Sequence, residues 1–295
     1  MTLVENQQLA KQFEDNRLHL RAVAYRMLGS FSEADDAVQG TWLRLSRSDP
    51  DDIDNLGGWL TTAVARECLD LLRARHARRE QPFETHIPDP VVTADDRVDP
   101  EYEAVLADSV GLALLVVIET LTPPERVAFV LHDVFGMPYD EIAPVVERSV
   151  EAARQLASRA RRRVHGAVPA QDTDLIRQRE VVDAFLAAAR GGDLASLLEV
   201  LDPDVVLRVD AGSGLAMTKQ VRGSETVAGQ AISFSRRFNR YARRVLINGT
   251  PGVAAVRDGH ALSVMGFTIS QEKIVEIDIL ADRYRLSRLD LAHLP

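Results

Sequence analysis

The chain has 295 residues, 46% hydrophobic and 27% charged, a globular composition with core material for two or three domains. Its longest uncharged apolar run, residues 110–118, is too short to span a bilayer. The polar, acidic amino terminus lacks the basic start and apolar middle of a signal peptide. These features predict a cytoplasmic protein with no membrane partner. Cys68 is the single cysteine, which excludes an internal disulfide and a multi-cysteine zinc site. No metal and no other cofactor is expected, and Cys68 reads as a buried inert thiol rather than a redox sensor.

The net charge of −9 argues at first against nucleic acid, but it is unevenly spread. Residues 80–108 carry nine acids and one base, while the segments on either side are near neutral. Phosphate contact and counterion release depend on local clusters, so the global figure is a poor guide.

Along the chain, residues 10–79 read as helices. Leu18, Ala22, Tyr25 and Leu28 make one apolar face, and residues 34–45 and 60–72 make two more. Turn residues at 29–32 and 49–52 punctuate them. Ser32 followed by Glu33, Asp35 and Asp36 places acids in a first turn, where the helix dipole favours them. Residues 80–100, with Pro82, Pro88, Pro90, Pro100 and many acids, predict an extended linker. Residues 101–165 are helical again, and 169–174 form a second, shorter linker.

Within 121–163 the pattern predicts a helix over 123–132, a break at Gly136 and Pro138, and a short helix over 139–146 with Ile142 and Val145 inward. A third helix follows, capped by Ser149. Ala152 and Ala153 are small enough for close packing, and Leu156 and Val164 face inward. This is a helix-turn-helix pattern. Ser149, Arg154, Gln155, Ser158, Arg159 and Arg162 fall on the other side, in a segment, 148–163, with six arginines against Glu151 alone. Arginine forks onto guanine edges or phosphates, so DNA reading is the sharper interpretation and a basic solvated helix the plainer one.

Residues 121–163 and 18–79 together resemble the extracytoplasmic-function sigma factors of the sigma-70 family. LRAVAYRMLGSFSEADDAVQGTWLRLSR resembles the first half of their sigma-2 domain. The resemblance implies that Asp35, Asp36, Val38, Gln39, Trp42 and Leu43 bind core RNA polymerase or support that binding, with a core-helix role open for Val38 and Trp42. WLTTAVARECLDLLRARHARR resembles the strand-separating helix. On that basis Asn55, Trp59 and Thr62 lie near a flipped-base pocket of the −10 element, and Arg66, Arg73, Arg75, Arg78 and Arg79 contact phosphates. Trp59 reads equally as a core residue. The implied partners are RNA polymerase core, through its β′ clamp and β flap, and promoter DNA, whose −35 element the third helix would read. Pro144 and Glu147 depart from the family pattern, Glu147 standing where a glycine is usual.

Beyond residue 174 two helices, 175–190 and 194–201, a third over 224–238, and strands over 205–209, 244–247, 253–256, 262–269 and 274–280 are predicted. Asn248-Gly249 and Asp258-Gly259 mark turns. This part resembles SnoaL-like members of the NTF2-like α+β cone, and sigma factors with this fusion form a subfamily in which the extra domain is a regulator. The fold class is therefore multidomain: two all-α sigma domains, helical sigma-2 and helix-turn-helix sigma-4, then an α+β cone. The expected segments are 10–80, 81–108, 109–168 and 175–295. The subfamily's linker motif survives in part as Pro88, Asp89 and Pro90, and its cone motifs align with stretches containing Asp210 and Asp282. These five are the candidate regulatory contacts. The acidic linker reads either as a solvated spacer or as a segment threading toward the polymerase cleft. Asp204, Asp210 and Asp278 are candidate general bases should the cone be a cyclase or isomerase, with a helix-turn-helix regulator as the matching alternative. No His–carboxylate pairing supports catalysis, so a non-enzymatic role, with or without a small-molecule ligand of the cone, is preferred.

Overall fold

The computed structural model describes residues 3–48, 53–77, 86–94, 111–167, 172, 174–212 and 218–289. The chain forms a helical unit, residues 1–81 with 117–167, and an α+β unit, residues 82–116 with 168–295.

In the helical unit, α1 (Leu3–Leu28), α2 (Phe31–Leu45) and α3 (Leu56–Ala77) pack against one another. Leu20, Val23 and Met27 recur every three or four residues on α1 and are fully buried. The expected face is rotated slightly from this stripe, because Leu18 is 47% exposed while Ala22, Tyr25 and Leu28 are buried. α2 starts one residue before Ser32, after Ser30, so only Glu33 occupies its first turn. Tyr25 stacks on Phe31 at 4.5 Å, which fixes the sharp entry into α2. Cys68 is buried in α3, where burial pushes its thiol pKa up and leaves it unreactive.

A further helix, α4 (Leu112–Glu119), precedes α5 (Pro123–Phe129), which begins with prolines at its permissive first positions. The Glu125 carboxylate accepts from both the amide and the hydroxyl of Thr122. The helix does not stop near residue 132. It widens into a π-helical turn, Val130–Val134, closed by the Phe135 amide on the Val130 carbonyl at 3.2 Å. Then come α6 (Tyr139–Val145) and α7 (Val150–Ala167). Pro144 is accommodated because α6 ends one residue later, and the hydrogen bond it forgoes belongs to the exposed Asp140 carbonyl. Glu147 adopts φ 56°, the left-handed turn conformation that glycine occupies without strain.

Arg126 joins these helices to α1. Its guanidinium, 3% exposed, donates to the Met27 carbonyl at 3.0 Å, to the Glu119 carboxylate at 3.0 Å and to the Glu119 carbonyl at 2.7 Å. Phe135 stands edge-on to His19 and beneath Arg26 in the same contact.

The α+β unit is a seven-stranded sheet in the order β1-β4-β5-β6-β7-β2-β3, with helices on one face. β1 is Val92–Ala94; α8 (Leu175–Gly191) and α9 (Leu194–Val200) lead into β2 (Leu201–Asp210) and β3 (Lys219–Arg222). α10 (Ser224–Phe238) precedes β4 (Ala242–Ile247), β5 (Thr250–Arg257), β6 (His260–Ser270) and β7 (Lys273–Leu280), and α11 (Arg283–Leu286) follows. Among the described strands only β2 and β7 pair in parallel. Alternation sorts the side chains. Leu207, Val209, Ile277 and Ile279 face the helices with Phe185 and Val227, whereas Val245, Ile247, Val264 and Leu280 face the other side with Ile87, Leu112 and Leu286. This is the α+β cone that the resemblance implied. Asn248 (φ 50°) and Gly249 (φ 79°) form the turn that the dipeptide predicts.

The solvated-spacer reading of the linker does not hold for residues 86–94. Ile87, Pro88, Asp89, Pro90 and Val91 are buried against the cone, and β1 pairs antiparallel with β4, Val92 opposite Ile247. The rest of the expected linker, including Pro82 and Pro100, the turn at 49–52 and most of the second linker lie outside the described residues.

Removing the Arg126 guanidinium strands a buried carboxylate. Arg126→Met is expected to lower unfolding stability by about 3–5 kcal/mol, and adding Glu119→Gln is expected to recover part of that loss; urea unfolding of both variants checks this.

Candidate nucleic-acid and polymerase interfaces

α7 supplies an outward row because its buried positions are small or aliphatic: Ala153, Leu156, Ala157, Ala160 and Val164. On the solvent side Ser149, Arg154, Gln155, Arg159 and Arg162 are exposed and Ser158 is half-buried. Ser149 Oγ accepts from the Ala152 amide at 3.2 Å, so this residue caps the helix. Arg154 lies over Tyr139 at 5.5 Å and bonds Glu151 at 3.2 Å. Gln155 is exposed, and Arg162 reaches the Ser158 carbonyl at 3.5 Å. Arg159 differs from the others. It and Arg163 grip the Glu125 carboxylate at 3.3 and 3.0 Å, and Arg161 grips Asp133 at 2.6 Å. These bonds tie the back of α7 to α5 and the π turn. The pairs, together with Thr122, hold the Glu125 carboxyl below the usual range despite its desolvation. Arg159 thus acts as a strut in this state, and it would have to release Glu125 to serve as the DNA contact expected from the sequence.

On α3, Asn55 Oδ1 accepts from the Gly58 amide at 3.1 Å, so Asn55 is held at the helix start. Trp59 and Thr62 are half-buried. Arg66 and Arg73 are brought to the helix-turn-helix: Arg66 reaches the Pro144 carbonyl at 3.5 Å, and Arg73 pairs with Glu147 at 3.0 Å. Arg75 departs from the expectation. Its side chain, 15% exposed, is committed to the Glu33 carboxylate and to the Leu28 carbonyl at 3.2 Å, bracing α3 against the α1–α2 corner. A guanidinium held this way does not meet phosphate without giving up those acceptors. Arg78 and Arg79 lie outside the described residues.

On α2, a cleft of about 400 Å³ between α1 and α2 is lined by Asp35, Gln39 and Trp42 together with Phe13 and Arg17. Trp42 packs on Phe13 at 5.1 Å, and Asp35 pairs with Arg21 at 2.8 Å. Asp36 is exposed, as is Leu43 at 48%. Val38 is 2% exposed and forms core, so it supports the surface without presenting itself to a partner.

In the α+β unit, Asp89, Asp210 and Asp282 all bond one residue that the sequence reading missed, Arg285, while Pro88 and Pro90 are buried on either side of Asp89. Arg285 Nε donates to Asp89 at 2.6 Å, Nη1 to Asp210 at 2.8 Å, and Nη2 to the Ile87 carbonyl. Asp282 caps α11 by accepting from the amides of Tyr284 and Arg285 at 2.8 and 3.1 Å, which aims the guanidinium. Asp210 also accepts from the Ile87 amide at 3.1 Å, from the Gly212 amide at 3.1 Å and from His86 at 3.3 Å. Burial alone would raise its pKa, but His86, these amides and Arg285 outweigh it and hold the carboxyl at about 2. Asn248 clasps Val91 through two bonds, at 2.8 and 3.1 Å.

Of the candidate general bases, Asp210 does pair with His86 at 3.3 Å, but Arg285 and two backbone amides also hold its carboxylate, so it serves as a clasp for the linker. The apolar cavity under α10, about 50 Å³, is lined mainly by residues such as Phe185, Phe234, Phe238 and Met265 and contains no carboxylate. Asp278 is buried and burial raises its carboxyl to about 6, yet it lies on the opposite face, bonded to Arg208 at 3.1 Å beside Glu276. Asp204 is exposed on β2. Among the described residues no group of His, Cys, Asp and Glu could hold a metal ion, and no helix is long and apolar enough to cross a membrane.

Because the folded pKa of Asp210 is depressed, its contribution of about 2 kcal/mol is present above the ordinary carboxylate range and is lost as pH falls through about 2. Asp210→Asn is therefore expected to flatten the loss of stability in acid, read by unfolding titrations at several pH values. At neutral pH, Arg285→Ala is expected to speed amide exchange at Ile87 and Val91. Arg285→Lys is expected not to restore protection, since an ammonium cannot span three acceptors held by a planar fork.

Comparison with known proteins fits this layout. The Sigma-70 region 2 family matches residues 12–78 and the Sigma-70, region 4 family matches residues 111–164. The chain is 36% identical over 280 residues to the probable ECF RNA polymerase sigma factor SigI of Mycobacterium tuberculosis, covering 93% of each. It is 42% identical over 230 residues to the ECF RNA polymerase sigma factor SigJ of the same species, covering 77% of this chain and 73% of that one. The crystal structure of that species' extracytoplasmic function sigma factor SigJ superposes with a TM-score of 0.76 at 34% identity, across 96% of this chain and 99% of the other. With both sigma-70 regions in place and likeness running through nearly the whole of these relatives, the chain belongs to the extracytoplasmic-function sigma factors, which bind RNA polymerase core and promoter DNA.

Proposed function

We propose that this sigma factor reads the −35 element with Ser149, Arg154, Gln155, Ser158 and Arg162, and engages the −10 strand through Asn55, Trp59, Thr62, Arg66 and Arg73. Arg159 and Arg75 join only after the struts described above are released. Asp35, Asp36, Gln39 and Leu43, supported by Val38, form the surface for the polymerase β′ clamp, and the helix-turn-helix region meets the β flap. The site of action is the cytoplasm, where the polymerase works. The observation that carries this reading is the row on α7, solvent-facing along its length and set on a helix-turn-helix scaffold by Ala153, Ala157 and Ala160.

The state described is a closed one. Arg66 and Arg73 touch the helix-turn-helix, and Arg126 pins α5 to the end of α1. A chain that spans two promoter elements at once must separate these contacts, and polymerase binding supplies the free energy to do so. The cone modulates activity by holding residues 86–94, with Arg285 as the clamp, and so withholding the acidic linker from the polymerase cleft. A cavity of about 50 Å³ is too small for a ligand-sized guest, so no small-molecule ligand is part of this proposal.

Run-off transcription with core polymerase tests it. Arg154→Ala with Gln155→Ala is expected to cost about tenfold or more in promoter selectivity, since each good base contact is worth about 1–3 kcal/mol. Leu43→Asp is expected to weaken core capture by about tenfold, the effect of losing one apolar anchor. Failure of both the full chain and a truncation near residue 165 to direct promoter-specific initiation would sink the proposal.

A further inference from the structure

The α+β unit carries a cationic groove that none of the roles above uses. Between Arg236 and Arg244 the chain has five arginines and no acid. Arg236, Arg237 and Arg240 converge with Arg190 of α8 on an open groove of about 510 Å³, completed by Ser235 and Asn239. Many arginines elsewhere are neutralised: Arg75, Arg126, Arg161, Arg208 and Arg285 each meet a carboxylate, and so does the neighbouring Arg244, which reaches Asp183 at 2.7 Å, whereas Arg66 and Arg162 of the DNA-facing helices bond carbonyls. None of the four groove arginines meets one among the described residues, in a chain with 44 acids. Arg237 lies over Phe238 at 5.4 Å and Arg240 over Tyr241 at 4.7 Å, so aromatic faces hold the cations in place without discharging them.

Arg190, Arg236 and Arg237 sit in the last turns of their helices, where the dipole tolerates cations. That accounts for each one singly. It does not account for two helix ends and the following turn aiming four guanidiniums at one groove. Arginine with serine and asparagine is the donor set that grips phosphate oxygens. The site is open and its cations exposed, which suits an extended polyanion better than an enclosed small ligand. The apolar slot that shares Ser235 and Asn239 with the groove holds only about 50 Å³.

We propose that the groove formed by Arg190, Arg236, Arg237 and Arg240 binds the phosphate backbone of duplex DNA without reading its sequence. The cone then adds a positioning contact on promoter DNA separate from the −35 and −10 contacts. This rests on the chain working on DNA as proposed above, but not on which α7 residues read bases.

The test uses the full-length protein and a fluorescent duplex of about 30 base pairs lacking a promoter, with affinity measured over a series of KCl concentrations. Replacing all four arginines by glutamine is expected to reduce the slope of log affinity against log salt by about 3–4, near 0.9 per phosphate contact. A charge-matched variant at Arg177, Arg222, Arg283 and Arg288 is expected to leave the slope unchanged. Thermal melting confirms that both variants are folded. An unchanged slope in the groove variant, an equal fall in the control, or no binding by the wild type would overturn the inference. So would groove-dependent binding of single-stranded RNA in preference to the duplex. Arg154→Ala with Gln155→Ala, assayed in parallel on promoter DNA, separates the two claims: loss of selectivity there with no groove effect sinks only the groove, and the reverse pattern sinks only the recognition-helix reading.

Discussion

The helical unit depends on one buried guanidinium. Arg126 is almost wholly buried, and its acceptors come from the end of α1 and the end of α4. Removing a charge of this kind from its partners costs more than the pair gains over an apolar substitute, so such a contact specifies an arrangement more than it stabilises one. Here the arrangement specified is the docking of the helix-turn-helix on the α1–α3 bundle. The lesser contacts follow from it: Phe135 against His19 and Arg26, Arg73 with Glu147, and Arg66 at the Pro144 carbonyl. These outer pairs are exposed and individually weak. In the opening proposed above, these rim contacts would break at little cost, and the buried Arg126 contact would set the main barrier.

The α+β unit repeats the scheme with different partners. Arg285 gathers two carboxylates and a carbonyl, and two of the three belong to the linker. The acidic character of the linker thus has a local use at Asp89, while the prolines on either side keep the chain extended so that its amides and carbonyls meet the cone. Burial of Pro88 and Pro90 adds apolar contact where a solvated spacer would have none.

Much of this was legible in the residues, and the limits have physical causes. The helix at 224–238 was read to the residue because its amphipathic pattern is strong and Gly223 precedes it. The α7 row was legible for the same reason. β1 and β3 were not, since three or four residues carry no periodicity and their strand character comes from pairing with β4 and β2. The roles of Arg75 and Arg159 could not be seen locally, because Glu33 and Glu125 lie 42 and 34 residues away in sequence. Arg285 was missed although it lies three residues after Asp282, which had been singled out. The available signal was that two buried acids, Asp89 and Asp210, require a cation. The glycine usual at position 147 pointed correctly to a left-handed turn, which Glu147 adopts all the same.

The pairing of β1 with β4 has a consequence for the sheet itself. β4 would otherwise be an edge strand, and β1 caps it only opposite Val245, Leu246 and Ile247. Beyond that cap the strand carries Arg243 and Arg244, charges of the kind that discourage another chain from adding on. Undocking the linker would bare the apolar half of the strand, with hydrogen-bonding groups unmatched and no charge to guard them. A linker released without a substitute leaves a surface that recruits β-structure from any neighbour, including a second copy of the same protein. If the linker regulates transcription as proposed, the same docking that controls the polymerase also guards the sheet edge, through Val92, Thr93 and Ala94.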